Sequence, residues 1–599
     1  MNRLLLWPLL LHPIVGAIAQ GTPVPLWKPS YHILDRLEIK SGREPRHHSS
    51  IKPYTAGDMV HYALTLDTAS NQTFSVQDRR DLYYIFRDLN EWLAFGPNPT
   101  LLLGKHQPTF VPAFDSAGIT YYCQYPDQHT ASQADPRYTV NEHPILGMFY
   151  QTPANFFQVD QPYFFFRANP MLNFQILSAR GESFPVFDNV RGLEMRAGLD
   201  DRIFLYTHIV VNDFRAPRFL YERWQRDRAI PGAGFVKNYQ SAFFDFDRGL
   251  SVLTAQGIMG IQLSRHVGMQ FGHGQNFIGN GYRSLILSDF ATNYLFLKLN
   301  WRVWKFHYQN IFAELISDPT APAPRPRKYM AAHYFHYRLS PKLAFGFYEA
   351  TVFSRQGPFD FEYLNPVILY RTIEHLIGSP DNVLIGIDAK WNFPKRGQFY
   401  GQLMMDEFKL DELILNNRGW WANKFGIQLG IKYIDLLGID HLDVQLEFNT
   451  ARPYTYTHRD STNLGSYTHY RQPLAHPLGA NFREYLSILR YQPLKRLHIE
   501  GRFFYQFYGE DPEGENWGGN ILLSHKTREQ DYGNTIGQGI PTRTHIFAFD
   551  LSYSLYHNLW LELHLFRRVK NSASDVRDRN EQYFGAGIRM NTGLLRRDF

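Results

Sequence analysis

Alternation of apolar and polar residues, from about residue 163 to the end of the 599-residue chain, restricts the possible fold more than any other feature. In the segment 424–433 every second residue is apolar, namely Phe425, Ile427, Leu429, Ile431 and Tyr433. Because successive side chains of a β-strand point to opposite faces, this period of two predicts strands with one apolar and one polar face. A soluble sandwich alternates in the same way, so the period alone does not say which face is outside.

Eighteen such segments follow one another, and we predict that each is a strand. They lie at 163–180, 190–199, 202–212, 248–263, 266–273, 292–300, 303–315, 329–338, 342–353, 383–393, 397–407, 424–434, 440–450, 485–492, 496–508, 544–556, 559–569 and 581–591. The connections after even-numbered strands are tight, such as Ser264-Arg265 and Trp301-Arg302. Those after odd-numbered strands are longer, above all 213–247, 274–291, 354–382, 451–484 and 509–543. An even number of antiparallel strands, with turns at one edge and loops at the other, predicts an all-β outer-membrane β-barrel of a Gram-negative bacterium.

The composition agrees with such a barrel and excludes several other classes. Aromatic residues make up 16% of the chain and the mean hydropathy is −0.36, which fit neither a disordered chain nor a helical membrane protein. One cysteine excludes a disulfide framework and a thiolate metal cluster. The net charge of +6 is weak for a nucleic-acid binder of this length, so we expect no nucleic-acid partner.

Residues 1–19 are typical of a cleaved signal peptide. Arg3 supplies the positive start, an apolar stretch follows, and Ala17-Ile18-Ala19 is a small-x-small cleavage site. The apolar stretch is too short to span a membrane comfortably. Gln20 follows the site in place of the cysteine that a lipid anchor needs. We therefore expect export through a cleaved signal peptide and contact with outer-membrane lipid.

Residues 20–160 have a different pattern and are predicted to form a small helical or irregular periplasmic segment, ahead of a barrel at 161–599. Ser75 and Asp78 form a capping box in front of apolar residues at helical spacing. A second helix is expected from Gly57 to Leu66. The single cysteine, Cys123, falls in this segment and is expected to be buried and inert.

The stretch 271–293, FGHGQNFIGNGYRSLILSDFATN, joins the fifth and sixth predicted strands and is rich in glycine. Its notable residues are Phe271, Gly272, Gly274, Gly279, Gly281, Ser284, Leu285, Ser288 and Asn293. One interpretation is structural, a loop that folds tightly at the barrel mouth. The stretch also resembles the Wzi family of capsule-assembly outer-membrane proteins, in which a glycine-rich turn leads into a similar Ser-Leu-x-Leu-Ser segment.

A second stretch, 359–375, resembles the same family through an aromatic-x-x-x-Asn-Pro segment that includes Asn365 and Pro366. By local chemistry, Asn365 is expected to cap and Pro366 to start a short helix within a long loop. The resemblance implies a periplasmic helical bundle and a lectin-like barrel that anchors capsular polysaccharide. The turn Phe277-Ile278-Gly279-Asn280-Gly281 stands where the family has a tryptophan-containing version. In this the chain is similar to the gliding-motility RemB-like branch, whose members need not bind capsule.

The ends of the predicted strands also fit a membrane barrel. Aromatic residues such as Trp391 and Tyr433 recur there, and such rings favour the lipid–water interface. The last strand, followed by the terminal Phe599, resembles the assembly signal of outer-membrane barrels, weakened by the charged residues 596–598.

The external loops are the expected place for ligand binding. Aromatic faces can stack on sugar rings, and arginine forms paired hydrogen bonds with the carboxylates of acidic sugars. The candidates are Arg215, Arg218, Tyr221, Arg223, Trp224 and Arg226 in loop 213–247, and Tyr454, Arg459 and Arg471 in loop 451–484. The competing interpretation is that these residues pack the loops over the lumen or contact lipid head groups.

No arrangement of catalytic residues stands out, and we expect no enzymatic activity, cofactor or metal. The histidine pairs lack metal-site spacing, and no nucleophile elbow is visible. His441, His498 and His564 are expected on lumen-facing strand positions, where they only form hydrogen bonds. The leading hypothesis is a barrel that binds or anchors a surface polysaccharide through its external loops, with the lumen closed by loops and the N-terminal helices packed against its periplasmic end. The alternatives are an outer-membrane partner of a gliding-motility or protein-secretion machine, and a porin.

Overall fold

A computed structural model describes most of the chain after the predicted signal peptide. The described residues are 21–67, 74–92, 109–115, 118–124, 150, 154–161, 163–200, 202–241, 244–318, 327–354, 361–367, 369–377, 381–393, 396–407, 411–412, 418–459 and 464–599. The predicted signal peptide, 1–19, lies outside them. The backbone of Cys123 lies in a short strand, Gly118–Gln124, but its side chain is not among the described parts of the chain. The prediction that this cysteine is buried and inert therefore stays a prediction.

Eighteen antiparallel strands close into a barrel, which confirms the predicted number and places each strand within a few residues of its predicted position. We label them β1–β18 in chain order: Phe164–Ala179, Val186–Leu199, Ile203–Arg215, Gly249–Gln262, Val267–Gly274, Tyr294–Val303, Phe306–Leu315, Lys328–Ser340, Leu343–Ser354, Asn382–Phe393, Gly397–Glu407, Lys424–Tyr433, Leu442–Ala451, Phe482–Leu494, Leu497–Glu510, Ile540–Tyr556, Leu559–Ser572 and Arg579–Met590. Each strand pairs with the next, and β18 pairs with β1 through the register Tyr583↔Ala179 to Met590↔Leu172. A closed sheet leaves no unpaired edge, as a membrane requires.

Five α-helices accompany the barrel in the part of the chain that the structure describes. They are α1 Ser30–Ser41, α2 Ala56–Asp67, α3 Val76–Asp88, α4 Arg218–Asp227 and α5 Tyr370–Ile377. The predicted capping box is present, since Ser75 and Asp78 each accept a backbone hydrogen bond from the other. The sequence did not predict α1. Among the described residues, no helix is both long and apolar enough to cross a membrane.

Short elements complete the described structure. The additional strands are Ile51–Lys52, Thr109–Asp115, Gly118–Gln124, Phe157–Gln161, Val236–Asn238, Phe277–Ile278, Thr468–His469 and Gln472–Pro473. Single 3-10 turns lie at Asn90–Trp92, Phe361–Leu364, Leu436–Gly438, His525–Thr527 and Asp575–Arg577.

The outer wall of the barrel is apolar. Large side chains that alternate along the strands are exposed there, among them Leu205, Leu429, Phe503, Leu563 and Phe584. Their neighbours in sequence point inward, and many of these are charged or amide side chains that are buried and paired. Since an exposed apolar belt of this kind is stable only against lipid, the structure is that of an outer-membrane barrel.

The turn between β6 and β7 differs from the predicted one. It was expected at Trp301-Arg302, but β6 continues to Val303 and the turn lies at Trp304 and Lys305. Arg302 faces inward and donates to both carboxylate oxygens of Asp58 in α2, at 2.8 and 2.7 Å. An ion pair with a residue far away in the sequence therefore extends the strand beyond its apolar pattern.

The prediction for Asn365 and Pro366 is corrected in part. The Asn365 side chain accepts from Val367 N at 3.0 Å, but the helix starts at Tyr370 and not at Pro366. The described residues of the segment 361–377, which are 361–367 and 369–377, lie against the outer wall of the barrel, where the Pro366 carbonyl accepts from Tyr308 and Asn310 of β7. We call this segment the wall loop.

Candidate binding site

The N-terminal helices close the end of the barrel that carries the tight turns, which is the periplasmic end of such barrels. Arg36 of α1 is buried and donates to Asp443 of β13 and to Asp435 of the β12–β13 turn, each at 2.5 Å. Lys390 of β10 binds Glu38 of the same helix. Charged groups buried in this way must be paired, so these contacts hold α1 in one position in the barrel.

His441 was expected to face the lumen from a strand, and the structure corrects this. It lies in the β12–β13 turn with a positive φ of 57°. Its Nε2 lies 3.1 Å from Asp81 of α3. His564 does point inward from β17, with Nδ1 2.7 Å from Asp550.

Three acidic or histidine ligand atoms come together beside these helices. Asp78, Asp440 and His441 have possible ligand atoms within 4.8 Å of one another. Lys40 Nζ lies 2.5 Å from Asp78 and 3.5 Å from Asp440, and Arg36 contacts the same two carboxylates. Each acid therefore forms ion pairs, and both cations are shared with the neighbouring Asp435.

The glycine-rich segment, residues 275–293, enters the lumen. Phe277–Ile278 pairs antiparallel with Ile51–Lys52, which reaches up from the N-terminal part. Gly279 has a φ of +135°, and a Cβ there would lie 2.4 Å from the Gln402 amide. A Cβ on Gly281 would lie 2.6 Å from Glu447. These two glycines are therefore required where the segment passes close to the inner wall.

The rest of the predicted motif holds the same segment in place. Ser284 Oγ donates to the Ile278 carbonyl at 2.6 Å, and Leu285 N donates to Gln402 at 2.8 Å. Ser288 Oγ donates to the Ala475 carbonyl at 2.5 Å. The remaining motif residues lie at its ends: Phe271, Gly272 and Gly274 in β5, with Phe271 facing outward, and Asn293, which donates to the Ala255 carbonyl at 2.8 Å.

This segment forms an apolar core in the outer half of the lumen. Leu285, Ile286 and Leu287 are fully buried there. Around them lie inward-facing aromatic residues of the wall and residues of loop 451–484, including Tyr334, Tyr348, Tyr456 and Tyr467. Strands with one polar face would line a lumen with polar side chains, but in this half the lumen is packed like the interior of a soluble domain.

The C-terminal tail, residues 591–599, also lies in the lumen. Asp598 pairs with Arg502 at 3.1 Å and also binds Tyr282. Phe599 packs against Phe219 of α4 and Phe290 of the glycine-rich segment. The terminal phenylalanine is thus separate from the last strand, which ends at Met590. A cavity of about 570 Å³ remains between this tail, α1 and the glycine-rich segment.

Several predicted ligand residues are used within the protein. Arg215 is buried and binds Glu182 at 2.6 Å as well as Asp247. The Arg223 guanidinium lies 5.2 Å from the ring centres of Phe290 and Phe599, and burial lowers its pKa to about 10. Tyr454 is buried, and its hydroxyl donates to the Asn516 carbonyl at 2.9 Å. These contacts match the competing interpretation, in which the residues pack the loops over the lumen.

The other predicted residues lie on the outer surface. Arg218, Arg226 and Arg459 are exposed. Tyr221 and Trp224 are half-buried, with ring centres 5.3 Å apart. Arg471 is half-buried, and its guanidinium lies 3.8 Å from Asp318. The structure therefore brings part of the predicted set to the outer surface of the external loops.

A second group on this surface was not predicted. We define the outer aromatic cluster as Arg418, Trp420, Trp421, Arg528 and Tyr532. The Arg528 guanidinium lies 4.2 Å from the ring centre of Trp421, and that of Arg418 lies 4.6 Å from Tyr532. One sequence feature could have pointed to this cluster. Two adjacent tryptophans, Trp420 and Trp421, lie close to Arg418 in a predicted external connection.

Backbone contacts between loops assemble this cluster. Trp421 N donates to the Asp531 carbonyl at 2.9 Å, and Gly533 N donates to the Arg418 carbonyl at 2.8 Å. A Cβ on Gly419 would lie 2.8 Å from the backbone of Asn534, so a glycine is needed where the two loops meet. His525 lies beside Trp421, with ring centres 4.8 Å apart, and burial lowers its pKa to about 3. The histidine is therefore neutral, and the positive charges of the cluster are those of Arg528, which pairs with Asp531 at 2.5 Å, and of Arg418, whose guanidinium lies 3.9 Å from Glu412.

Comparison with known proteins gives structural neighbours only. Neither the protein-family models nor the curated protein sequences contain a match to this chain. The chain is similar to the Escherichia coli outer-membrane protein Wzi, described as a carbohydrate-binding β-barrel involved in group 1 capsule assembly; identity is 14%, coverage 71% of this chain and 85% of Wzi, and the TM-score 0.44. It is also similar to Pseudomonas aeruginosa OprD, with 8% identity, coverage of 71% of this chain and 94% of OprD, and a TM-score of 0.38. A third similar structure is Acinetobacter baumannii OccAB1, with 9% identity, coverage of 71% of this chain and 96% of OccAB1, and a TM-score of 0.37. Similarity at this level carries no argument about function.

Proposed function

We propose that this protein is a closed, non-enzymatic outer-membrane barrel that binds or anchors a surface polysaccharide through its external loops. The observation that carries the proposal is the outer aromatic cluster, in which arginines and aromatic rings face outward above a filled lumen. Aromatic faces stack on sugar rings, and guanidinium groups pair with sugar carboxylates, so the cluster suits an acidic glycan. The same proposal includes export through a signal peptide that is cleaved after Ala19, a role in capsule assembly, and membership of the Wzi family.

Glycan retention tests the proposal. Wild-type protein purified from its native host should carry polysaccharide, detected by sugar analysis of washed protein. Replacing Arg418, Arg528 and Tyr532 together by alanine should lower retention at least about tenfold, because central arginine and aromatic contacts dominate such interfaces. The matched control is Lys342→Ala, which removes a positive charge at the opposite end of the barrel.

Adding Arg218→Ala and Arg226→Ala would show whether the predicted α4 surface belongs to the same site. Full retention by the five-residue variant would contradict the proposal. Release of shortened sugar chains by the wild-type protein would contradict its non-enzymatic part.

A second candidate function is a protein partner of a gliding-motility or secretion machine, which is also the role that the RemB-like branch suggests. The wall loop favours it, because Val367 and Leu369 are exposed on the outside of the barrel. Stable co-purification of a partner protein, lost in a variant with Val367→Ser and Leu369→Ser, would support this function over glycan binding.

A further inference from the structure

Three arginines stand on the lipid-facing side of the outer half of the barrel, two of them near its outer rim. Arg483 of β14, Arg543 of β16 and Arg567 of β17 are all exposed and alternate with inward-facing neighbours. None of them forms an ion pair with another residue in the described part of the chain. We call this group the rim arginines.

Strand register places two of the rim arginines around one aromatic ring. Phe507 of β15 lies opposite Arg483 on one side and opposite Arg543 on the other. Two strand spacings separate the arginines, about 10 Å. The Arg543 guanidinium lies 5.6 Å from the Phe507 ring centre. Arg567 lies lower, four positions along β17 from Asn571, which is paired with Arg543.

An apolar groove runs down the same wall below Arg483. Its volume is about 780 Å³. Small residues, including Ala389, Gly401 and Ser487, leave it open, and Trp391, Phe399, Phe448, Tyr485 and Phe503 line it. Tyr485 is two positions below Arg483 on β14, so the groove reaches Arg483, one of the rim arginines. Its length and lining suit hydrocarbon chains.

Another arginine of the outer wall has its charge neutralised by a carboxylate of the protein. Arg191 of β2 is exposed, but it binds Asp213 of β3. The rim arginines lack such a carboxylate among the described residues. An unpaired guanidinium at the lipid interface is best satisfied by a phosphate, which accepts two parallel hydrogen bonds.

We propose that the rim arginines and the groove form a binding site for lipid A, the phosphorylated and multiply acylated anchor of lipopolysaccharide. Its phosphates bind the arginines, and an acyl chain occupies the groove below Arg483. The positive charge of the rim arginines favours this phosphorylated lipid over a zwitterionic phospholipid, and the apolar lining of the groove suits its acyl chain. The site is separate from the outer aromatic cluster and independent of the proposed function.

Native mass spectrometry of the detergent-purified full chain, titrated with hexa-acylated lipid A, tests the site. Wild type should bind lipid A and bind dephosphorylated lipid A or phosphatidylcholine at least about tenfold more weakly. Replacing the three rim arginines by alanine should remove this preference, whereas Arg191→Ala should keep it. Ser487→Trp, which fills the groove, should weaken lipid A binding while leaving the preference for phosphate.

Heat-modified gel mobility, which reports a folded barrel, verifies that each variant is intact. Equal binding of lipid A by the wild type and the triple variant would overturn the proposal. Equal binding of lipid A and its dephosphorylated form by the wild type would overturn it as well. Unchanged lipid A binding by Ser487→Trp would overturn the placement of the acyl chain.

Discussion

Two adjacent histidines, His47 and His48, lie buried where the N-terminal part enters the lumen. The His47 ring centre lies 4.3 Å from that of Tyr54, and burial lowers the pKa of His47 to about 4. His48 contacts His336 of β8 and accepts from Arg338 at 3.0 Å. Burial and these neighbouring groups hold the pKa of His48 well below its usual range. Both histidines are therefore neutral when the segment is docked.

Docking of the N-terminal part should depend on pH. When the segment is released, His47 regains an ordinary pKa of about 6.5 and takes up its proton before the docked form does. The contribution of His47 is therefore complete above about pH 6.5 and is lost as the pH falls towards about 4, by up to about 3 kcal/mol. Hydrogen exchange of α1 and α2, measured between pH 4 and pH 8, should show faster opening at the acidic end.

His47→Phe tests this assignment. The variant should open with a weaker pH dependence than wild type, with the remainder due to His48. The control is His266→Phe, in the exposed β4–β5 turn. Identical pH profiles for His47→Phe and wild type would show that His47 does not contribute.

At the scale of one element, the wall loop depends on a buried carboxylate of the outer wall. Glu349 of β9 is 1% exposed and accepts from Tyr370 N at 2.9 Å and Arg371 N at 3.0 Å. Tyr363 stacks on Phe353, with ring centres 4.6 Å apart, and the Tyr370 ring lies 3.9 Å from His333. Polar residues on a lipid-facing wall are costly, and here the loop satisfies them.

Glu349→Ala should release the wall loop. The substitution leaves two backbone N–H groups without acceptors in an apolar setting, at a cost of a few kcal/mol (about 1–3 for each group). Trypsin should then cut after Arg371 at least about tenfold faster than in wild type, because local opening sets the cleavage rate. Glu314→Ala, at an exposed carboxylate on β7, is the control. An unchanged cleavage rate would mean that the aromatic contacts alone hold the loop.

At the scale of the whole molecule, segments from different parts of the sequence fill one lumen, and residues of loop 451–484 pack with them. The N-terminal helices occupy the periplasmic end, the glycine-rich segment occupies the outer half, and the C-terminal tail runs between them. An eighteen-stranded barrel without such filling would be wide enough for an aqueous channel. The filled lumen therefore supports a binding protein over the porin alternative.

Conductance should separate these two possibilities. Wild-type protein in a planar bilayer should show no steady large steps. Replacing residues 276–292 by a short Gly-Ser linker removes the core around Leu285–Leu287, and steady channels should appear. Replacing the wall loop by the same linker should leave the barrel closed, because this loop lies outside it. Large steady currents through the wild-type protein would contradict the closed barrel.

Most of the barrel, but little of the site, could be predicted from the sequence. The strands were predictable because period two is a local property that each strand carries within about ten residues. The outer aromatic cluster was not, since Arg418 and Tyr532 are more than a hundred positions apart and meet only through a contact between two loops. The packing of the half-buried Arg223 and the burial of Tyr454 depend in the same way on segments distant in the sequence.

The sequence by itself determined the number of strands, which face of each meets lipid and which rim carries the loops. Only the tertiary structure decided which segments fill the lumen, that Phe599 lies inside it and that the wall loop covers the outside. The physical reason is that the alternation of apolar and polar residues along a strand reflects the environments of its two faces, which are the lipid and the lumen. What occupies a lumen depends on pairings such as Arg36 with Asp443, which no local pattern encodes.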